Sequence, residues 1–385
     1  MKKSLLALVA LGAFAGAAHA QSSVTLYGII DEGFIFNNND KGKHLYGLSS
    51  GVLQGSRWGL RGTEDLGGGL KAVFVLENGF DVNTGGLKQG GLEFGRQAYV
   101  GLGSGFGTVT LGRQYDSVVD FVGPLEAGDQ WGGYIAAHPG DLDNFNNAYR
   151  VNNAIKYTSP TYNGFSFGGL YSFGGQAGQF AKNQVWSLGA GYNNGPLVLG
   201  VGYLNARTPA NFGGMFNNGS TASTTIASTP IYGPYAATAN TYQVIGAGGA
   251  YTFGAATIGA TYSNTKFKGF TAGQFSGTAT FNNGEINFKY QLTPALILGA
   301  AYDYTQGSKI DGNSAAKYHQ GSLGVDYFLS KRTDVYVIGV YQHASGKTLD
   351  PKSNQPVDAT AAINGLDPSS TKNQVAARVG IRHKF

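Results

Sequence analysis

From Val24 onward, apolar and polar residues alternate in runs of about ten, a period of 2 that predicts β-strands with one face in each phase. The first run puts Val24, Leu26, Ile30, Phe34 and Phe36 on one face and Thr25, Tyr27 and Asp31 on the other. Leu70–Phe80 repeats it, with Leu70, Ala72, Phe74, Leu76 and Phe80 on the apolar side. Similar runs predict strands at 54–63, 92–103, 108–114, 149–158, 164–173, 183–193, 197–206, 241–252, 256–268, 279–291, 295–306, 317–328, 334–344 and 372–385. Asp65-Leu66-Gly67-Gly68-Gly69 and Ser104-Gly105-Phe106-Gly107 have the turn chemistry of hairpins. Short connections alternate with long polar ones, and no 3.6-residue period persists. The expected fold is therefore all-β: a transmembrane antiparallel β-barrel of about 16 strands, with short turns at one end and long loops at the other. A soluble β-sandwich would need a packed interior, whereas here the second face is repeatedly polar or charged.

Two long stretches interrupt the alternation, each of 34 residues. Asp116–Tyr149 has no Lys or Arg but carries six acids, Asp116, Asp120, Glu126, Asp129, Asp141 and Asp143. Structureless connections of this length are usually functional or disordered. Arginine-bearing strands flank this one, so it is expected to fold into the barrel mouth and face them. Arg207–Asn240 is rich in Ser, Thr, Ala and Asn, has no acid, and reads as a flexible surface loop.

Composition fits a barrel wall, whose outer apolar phase is lipid rather than a protein core. Glycine accounts for 62 residues, Tyr and Phe for 23 each, and charged residues for only 13%. At the start, Lys2 and Lys3 precede an apolar run and then Ala18-His19-Ala20, the form of a cleaved secretory signal peptide over 1–20. The expected mature barrel is 21–385, exported to the outer membrane of a Gram-negative cell. Its formal charge falls from +5 to +3 once Lys2 and Lys3 leave, and no basic run points to nucleic acid. There are no cysteines, hence no disulfide framework.

Six segments in order resemble the general bacterial porins, most closely the trimeric porins of betaproteobacteria. They are Ser23–Gly28, Ser56–Gly67, Phe94–Leu102, Thr110–Tyr115, Asn152–Pro160 and Gly380–Phe385. The resemblance spans essentially the whole mature chain. It implies a homotrimer of sixteen-stranded, water-filled tubes in outer-membrane lipid and lipopolysaccharide. Each tube would be narrowed by an inward-folded third external loop, the position of 116–149. The implied activity is passive diffusion of small hydrophilic solutes and inorganic ions.

Alternation also assigns faces. Arg57 and Arg61 oppose Trp58 and Leu60; Arg96 opposes Gln97 and Tyr99; Arg150 and Lys156 oppose Val151, Ile155 and Tyr157. An inward assignment avoids the roughly 2–4 kcal/mol that Arg or Lys costs facing midplane lipid. By resemblance, Arg57, Arg96 and Arg150 match the basic cluster of the constriction, which Arg61 and Lys156 would extend, with Arg378 and Arg382 further along. Asp120, Glu126 and Asp129 are the loop acids expected opposite. Pore-facing base exceeds acid on this assignment, and no Asp or Glu occurs between Asn144 and Gly284, so a weak anion preference is expected. Arg113 shares parity with Val109 and Leu111. It should project outward, snorkelling to an interface or, as favoured here, packed against a neighbouring subunit in the trimer. The terminal Phe385 is expected to be read by the barrel assembly machinery, or to serve as a girdle aromatic.

No enzyme chemistry stands out. Gly101–Gly107 precedes a strand rather than a helix and lacks the context of a dinucleotide loop. His44, His138, His319, His343 and His383 form no i, i+4 pair, so spacing suggests no metal site and no cofactor. A solute-specific channel is the nearest alternative. An adhesin or receptor barrel presenting Asn37–Ser50, Arg207–Asn240 and Ser345–Thr371 is a further one.

Overall fold

Sixteen antiparallel strands close into one barrel in the computed structural model, which describes residues 22–210, 216–217, 225–310 and 312–385. The expected leader, 1–20, lies outside the described residues. The first eight wall strands are β1 Ser23–Asp40, β2 Arg57–Gly67, β3 Leu70–Gly79, β4 Gln97–Ser104, β5 Gly107–Gln114, β6 Arg150–Thr158, β7 Phe165–Ser172 and β8 Val185–Asn194. The rest are β9 Leu197–Arg207, β10 Thr241–Phe253, β11 Ala256–Ala272, β12 Phe275–Thr293, β13 Leu296–Gln306, β14 Lys317–Phe328, β15 Thr333–Ser345 and β16 Asn373–Lys384. Closure pairs β1 with β16, from Ile29 opposite Lys384 to Asn37 opposite Ala376.

The alternation has the faces expected of a barrel in lipid. Leu26, Leu188 and Leu323 are 59%, 58% and 67% exposed on the outer wall, while inward neighbours such as Asp31, Ser187 and Gln320 are buried. Edge strands are absent from the closed wall, so backbone groups are satisfied within it.

Three external connections depart from the sequence reading. Asn37–Asp40, a polar stretch beyond the alternating run that closes at Phe36, does not end β1. The strand continues through it, turns at Lys41 (φ 51°) and Gly42, and pairs with an additional strand, Lys43–Ser50. Arg207–Asn240 is not a free surface loop among its described residues. Phe216 and Asn217 pair with Val151 and Arg150 on β6, and Ile226, Ile231, Tyr232 and Tyr235 are buried. The Tyr232 ring stacks on Phe267 of β11 at 5.1 Å, and its hydroxyl donates to Gly140 O at 3.0 Å. The last connection also turns inward, burying Ala359, Ala361, Ala362 and Ile363.

Residues 116–149 pack against the inner wall. A short helix, α1 (Ser117–Phe121), is capped by Asp116, whose carboxylate accepts from the Val118 and Val119 amides. It lies on β8 and β9. The wall receives the loop with glycines: a methyl on Gly189 would overlap the Phe121 ring, one on Gly202 the Val118 side chain, and one on Gly246 the Phe145 ring. On the far side Gly299 of β13 and Gly324 of β14 seat Trp131, and a methyl on Gly324 would fall 2.5 Å from Trp131 Cε3.

Candidate functional site: a charged constriction

Arg57 and Arg150 open β2 and β6, and Arg96 sits one residue before β4, so three strand ends deliver three guanidinium groups to one place. They line a cavity of about 790 Å³ in the lumen together with Tyr115, Asp129, Asn146 and Asn147. Each guanidinium is held at its base. Arg57 Nε donates to Gly55 O at 2.8 Å, and Arg150 Nη1 to Ala148 O at 3.0 Å. Arg96 Nε donates to Glu77 Oε1 at 2.8 Å, a buried ion pair. Tyr115 joins the group: its hydroxyl accepts from Arg96 Nη2 at 3.0 Å and donates to Glu77 Oε1 at 3.2 Å. Its ring lies 5.7 Å from Arg150 Cζ, a cation–π distance. Tyr27 completes the ring of contacts by donating to Glu77 Oε2 at 3.0 Å. Glu77 thus neutralises one of three cations, and the guanidinium set keeps a positive surplus.

Of the loop acids expected to face this wall, one does so. Asp129 is exposed to the same cavity, and its Oδ1 accepts from Asn146 Nδ2 at 2.9 Å. Although its surface is open to the cavity, loss of bulk-water hydration inside the lumen raises its carboxyl above the usual range, while Arg57 and Arg96 pull it back. Asp120 is ion-paired with Lys156 on β6 instead of standing across a gap from it. Lys156 Nζ also donates to Tyr115 O at 3.0 Å, so this lysine tethers the loop's first turn. Glu126 is turned away from the pore altogether. It is fully buried behind the loop, where Oε1 accepts the His138 amide at 2.6 Å. Periodicity could not separate these three, because the loop follows none.

Arg61 lies exposed on β2, its Cζ 5.2 Å from the Tyr27 ring and away from the three arginines' cavity. Arg378 and Arg382 are inward but compensated. Arg378 Nη2 meets Asp31 Oδ1 at 3.2 Å, and Arg382 Nη2 meets Asp334 Oδ2 at 2.9 Å. Arg113 keeps the parity of Leu111: it stands opposite Ala98 as Leu111 stands opposite Val100. On its other edge the register shifts, since Val151 to Ala154 spans one residue more than Gly112 to Gln114, so the bulge lies on β6. Arg113 is buried within its own subunit, donating from Nε to Gly95 O at 2.8 Å and from Nη1 to Asn152.

The last external connection clamps the loop. Asn364 Nδ2 donates to His138 O at 2.8 Å, and its Oδ1 accepts the Gly140 amide at 2.7 Å. Within the loop, burial raises the Asp116 carboxyl to about 6 despite the help of Asn144 and two amides.

A family profile described as Gram-negative porin matches residues 7–347. The chain belongs to this family. The porin is 33% identical over 434 residues to an outer membrane porin protein of Bordetella pertussis, with all of both chains covered. It is 32% identical over 409 residues to Outer membrane porin protein 32 of Delftia acidovorans, again with full coverage of both. Among solved structures, the anion-selective porin from Comamonas acidovorans superposes with a TM-score of 0.71 at 26% identity, covering 95% of this chain and 100% of that one. OmpT of Vibrio cholerae shares the fold, with a TM-score of 0.63 at 18% identity over 96% and 100% of the two chains. The porin is an outer-membrane channel protein, and its barrel is a path for passive diffusion.

Proposed function

We propose that this porin passes small hydrophilic solutes and inorganic ions with a weak preference for anions, and that Arg57, Arg96 and Arg150 set that preference. The observation that carries the reading is their convergence on one lumen cavity that Asp129 alone among the three candidate loop acids shares. Separating basic wall and acidic loop across a water-filled gap creates a transverse field, which orients polar solutes and gives anions and cations different tracks. The larger positive set lowers the barrier for anions. The anion selectivity named for the Comamonas porin supports the same sign. Arg61 and Lys156 contribute at the margins, Lys156 mainly as a tether. The working assembly is a homotrimer in lipid and lipopolysaccharide, a form also named for OmpT. Phe385 serves as the signal for barrel assembly. No catalytic role is assigned.

Reversal potentials of purified protein in planar bilayers under a salt gradient test the reading. The expected sign is anion preference, weakened or inverted when Arg57, Arg96 and Arg150 are all replaced by Gln. Cation preference in the wild type, or selectivity unchanged in the triple variant, would overturn it.

A further inference from the structure

Behind the constriction loop, away from the pore, four acids surround one imidazole. Glu126, His138 and Asp143 come from the loop, while Glu285 and Asp303 come from β12 and β13. All five are buried. His138 Nδ1 is hydrogen-bonded to Asp143 Oδ2 at 2.7 Å. Asp143 is itself held by the Ser263 hydroxyl at 2.5 Å. The opposite ring nitrogen, Nε2, faces Glu126 Oε1 at 3.9 Å, Glu285 Oε2 at 3.7 Å and Asp303 Oδ2 at 3.8 Å, with the Thr261 hydroxyl at 3.2 Å.

We propose that Glu126, His138, Glu285 and Asp303 bind one divalent transition-metal ion, with Zn²⁺ as its type, pinning the constriction loop to the barrel wall. Two independent features point to an ion here. Glu126 Oε2 and Glu285 Oε2 are buried and make no hydrogen bond, although the second oxygen of each is fully engaged. Glu285 Oε1 accepts Ala127 N at 2.9 Å and Asn287 Nδ2 at 2.7 Å, which leaves Oε2 turned toward the imidazole. Buried oxygens of this kind are costly unless something positive meets them. Second, one donor each from Glu126, His138 and Glu285 lie within 4.8 Å of one another. Zinc–nitrogen and zinc–oxygen bonds of about 2.1 Å put tetrahedral donors about 3.4 Å apart. The spacings of 3.7–3.9 Å from Nε2 to the three carboxylates need a contraction of a few tenths of an ångström, and donors as far as 4.8 Å apart must close by up to about 1.4 Å.

The chemistry selects the class of ion. An imidazole among carboxylates suits zinc and its neighbours, whereas calcium and magnesium favour all-oxygen shells. Asp143 on Nδ1 is the carboxylate–histidine pairing that orients metal-bound imidazoles and presents the Nε2 lone pair inward. Loop and wall each supply donors, so the ion would cross-link the two elements. The competing occupant is protons shared among the same groups.

The test refolds the full chain with Zn²⁺, or with a chelator, in a His319→Gln background that removes the imidazole beside His343 on the outer wall. About one Zn²⁺ per subunit should remain after gel filtration, and heat stability should exceed that of the chelator-treated protein. Glu126→Gln with Glu285→Gln should abolish retention. Crystals of wild-type protein grown with Zn²⁺ give a second readout that does not depend on that variant folding. An anomalous peak among the four side chains supports the site. No retained metal, equal retention in the double variant, or no peak there would overturn it and leave a proton-filled cluster.

Discussion

Asp129 and Glu126 are three residues apart, yet the geometry gives them opposite duties. Asp129 shares the lumen cavity with Arg57, Arg96 and Arg150, whereas Glu126 is fully buried behind the loop. A charge about 5 Å from the ion path in water changes the local energy by about 0.8 kcal/mol. Asp129→Asn should therefore raise the anion-to-cation permeability ratio by roughly two- to tenfold in bilayer reversal-potential measurements. Because the Asp129 carboxyl is raised, lowering the pH from neutrality protonates it and removes the negative charge. The wild type should become more anion-selective as pH falls, and D129N should lose most of that dependence. Glu126→Gln should leave selectivity alone and lower heat stability, as expected for a buried group whose partners are the His138 amide and ring. If the two variants change selectivity equally, the assignment of faces is wrong. At this scale the sequence was informative where strands carry the residue. Parity found the inward side of Arg57 and Lys156, but it could not reveal that Arg113 is buried against Gly95 and Asn152, 18 and 39 positions away.

Elements were legible in proportion to how far they belong to the wall. A strand with lipid on one side and water on the other must alternate, so all sixteen left a readable period. The inner furniture of the barrel left none. The 116–149 loop and the described residues of 207–240 pack by shape against inward glycines and aromatics, and such contacts join residues as far apart as Trp131 and Gly299. The wealth of glycine had a second meaning beyond turns. Gly299 and Gly324 are the seat of Trp131, and bulk there must displace the loop toward the arginine wall. Gly299→Val should lower single-channel conductance and cost about 1–3 kcal/mol through overpacking. Conductance at fixed salt, together with the temperature at which the folded band disappears on unheated gels, checks both. Wild-type values for both would show that the loop does not rest on this seat.

At the scale of the whole molecule, the barrel depends on one seam, where the first strand meets the last. Two kinds of interaction hold it. In the interior, Arg378 is fully buried and reaches Asp31 at 3.2 Å, the Tyr336 hydroxyl at 2.7 Å and Ser49, while Asp31 also accepts from Tyr336 at 2.5 Å. At the terminus, Phe385 exchanges two backbone bonds with Gly28, at 2.9 and 3.0 Å, and its ring lies over that glycine. These should fail differently. Asp31→Asn leaves Arg378 without its anion, and breaking a buried pair typically costs about 3–5 kcal/mol. Folded barrels of that variant should accumulate in reduced amount and unfold at clearly lower temperature. Deleting Phe385 removes two bonds of about 1 kcal/mol each from a half-exposed end, too little to unfold a closed barrel. If the terminal aromatic is nevertheless what the assembly machinery reads, its deletion should deplete folded trimer from the outer membrane far more than it lowers the melting temperature of the trimer that remains. Refolding in detergent, where no machinery acts, should then proceed with near wild-type yield. Equal loss in detergent and in cells would make Phe385 a structural seam residue only, and a normal yield in cells would remove its role as a signal.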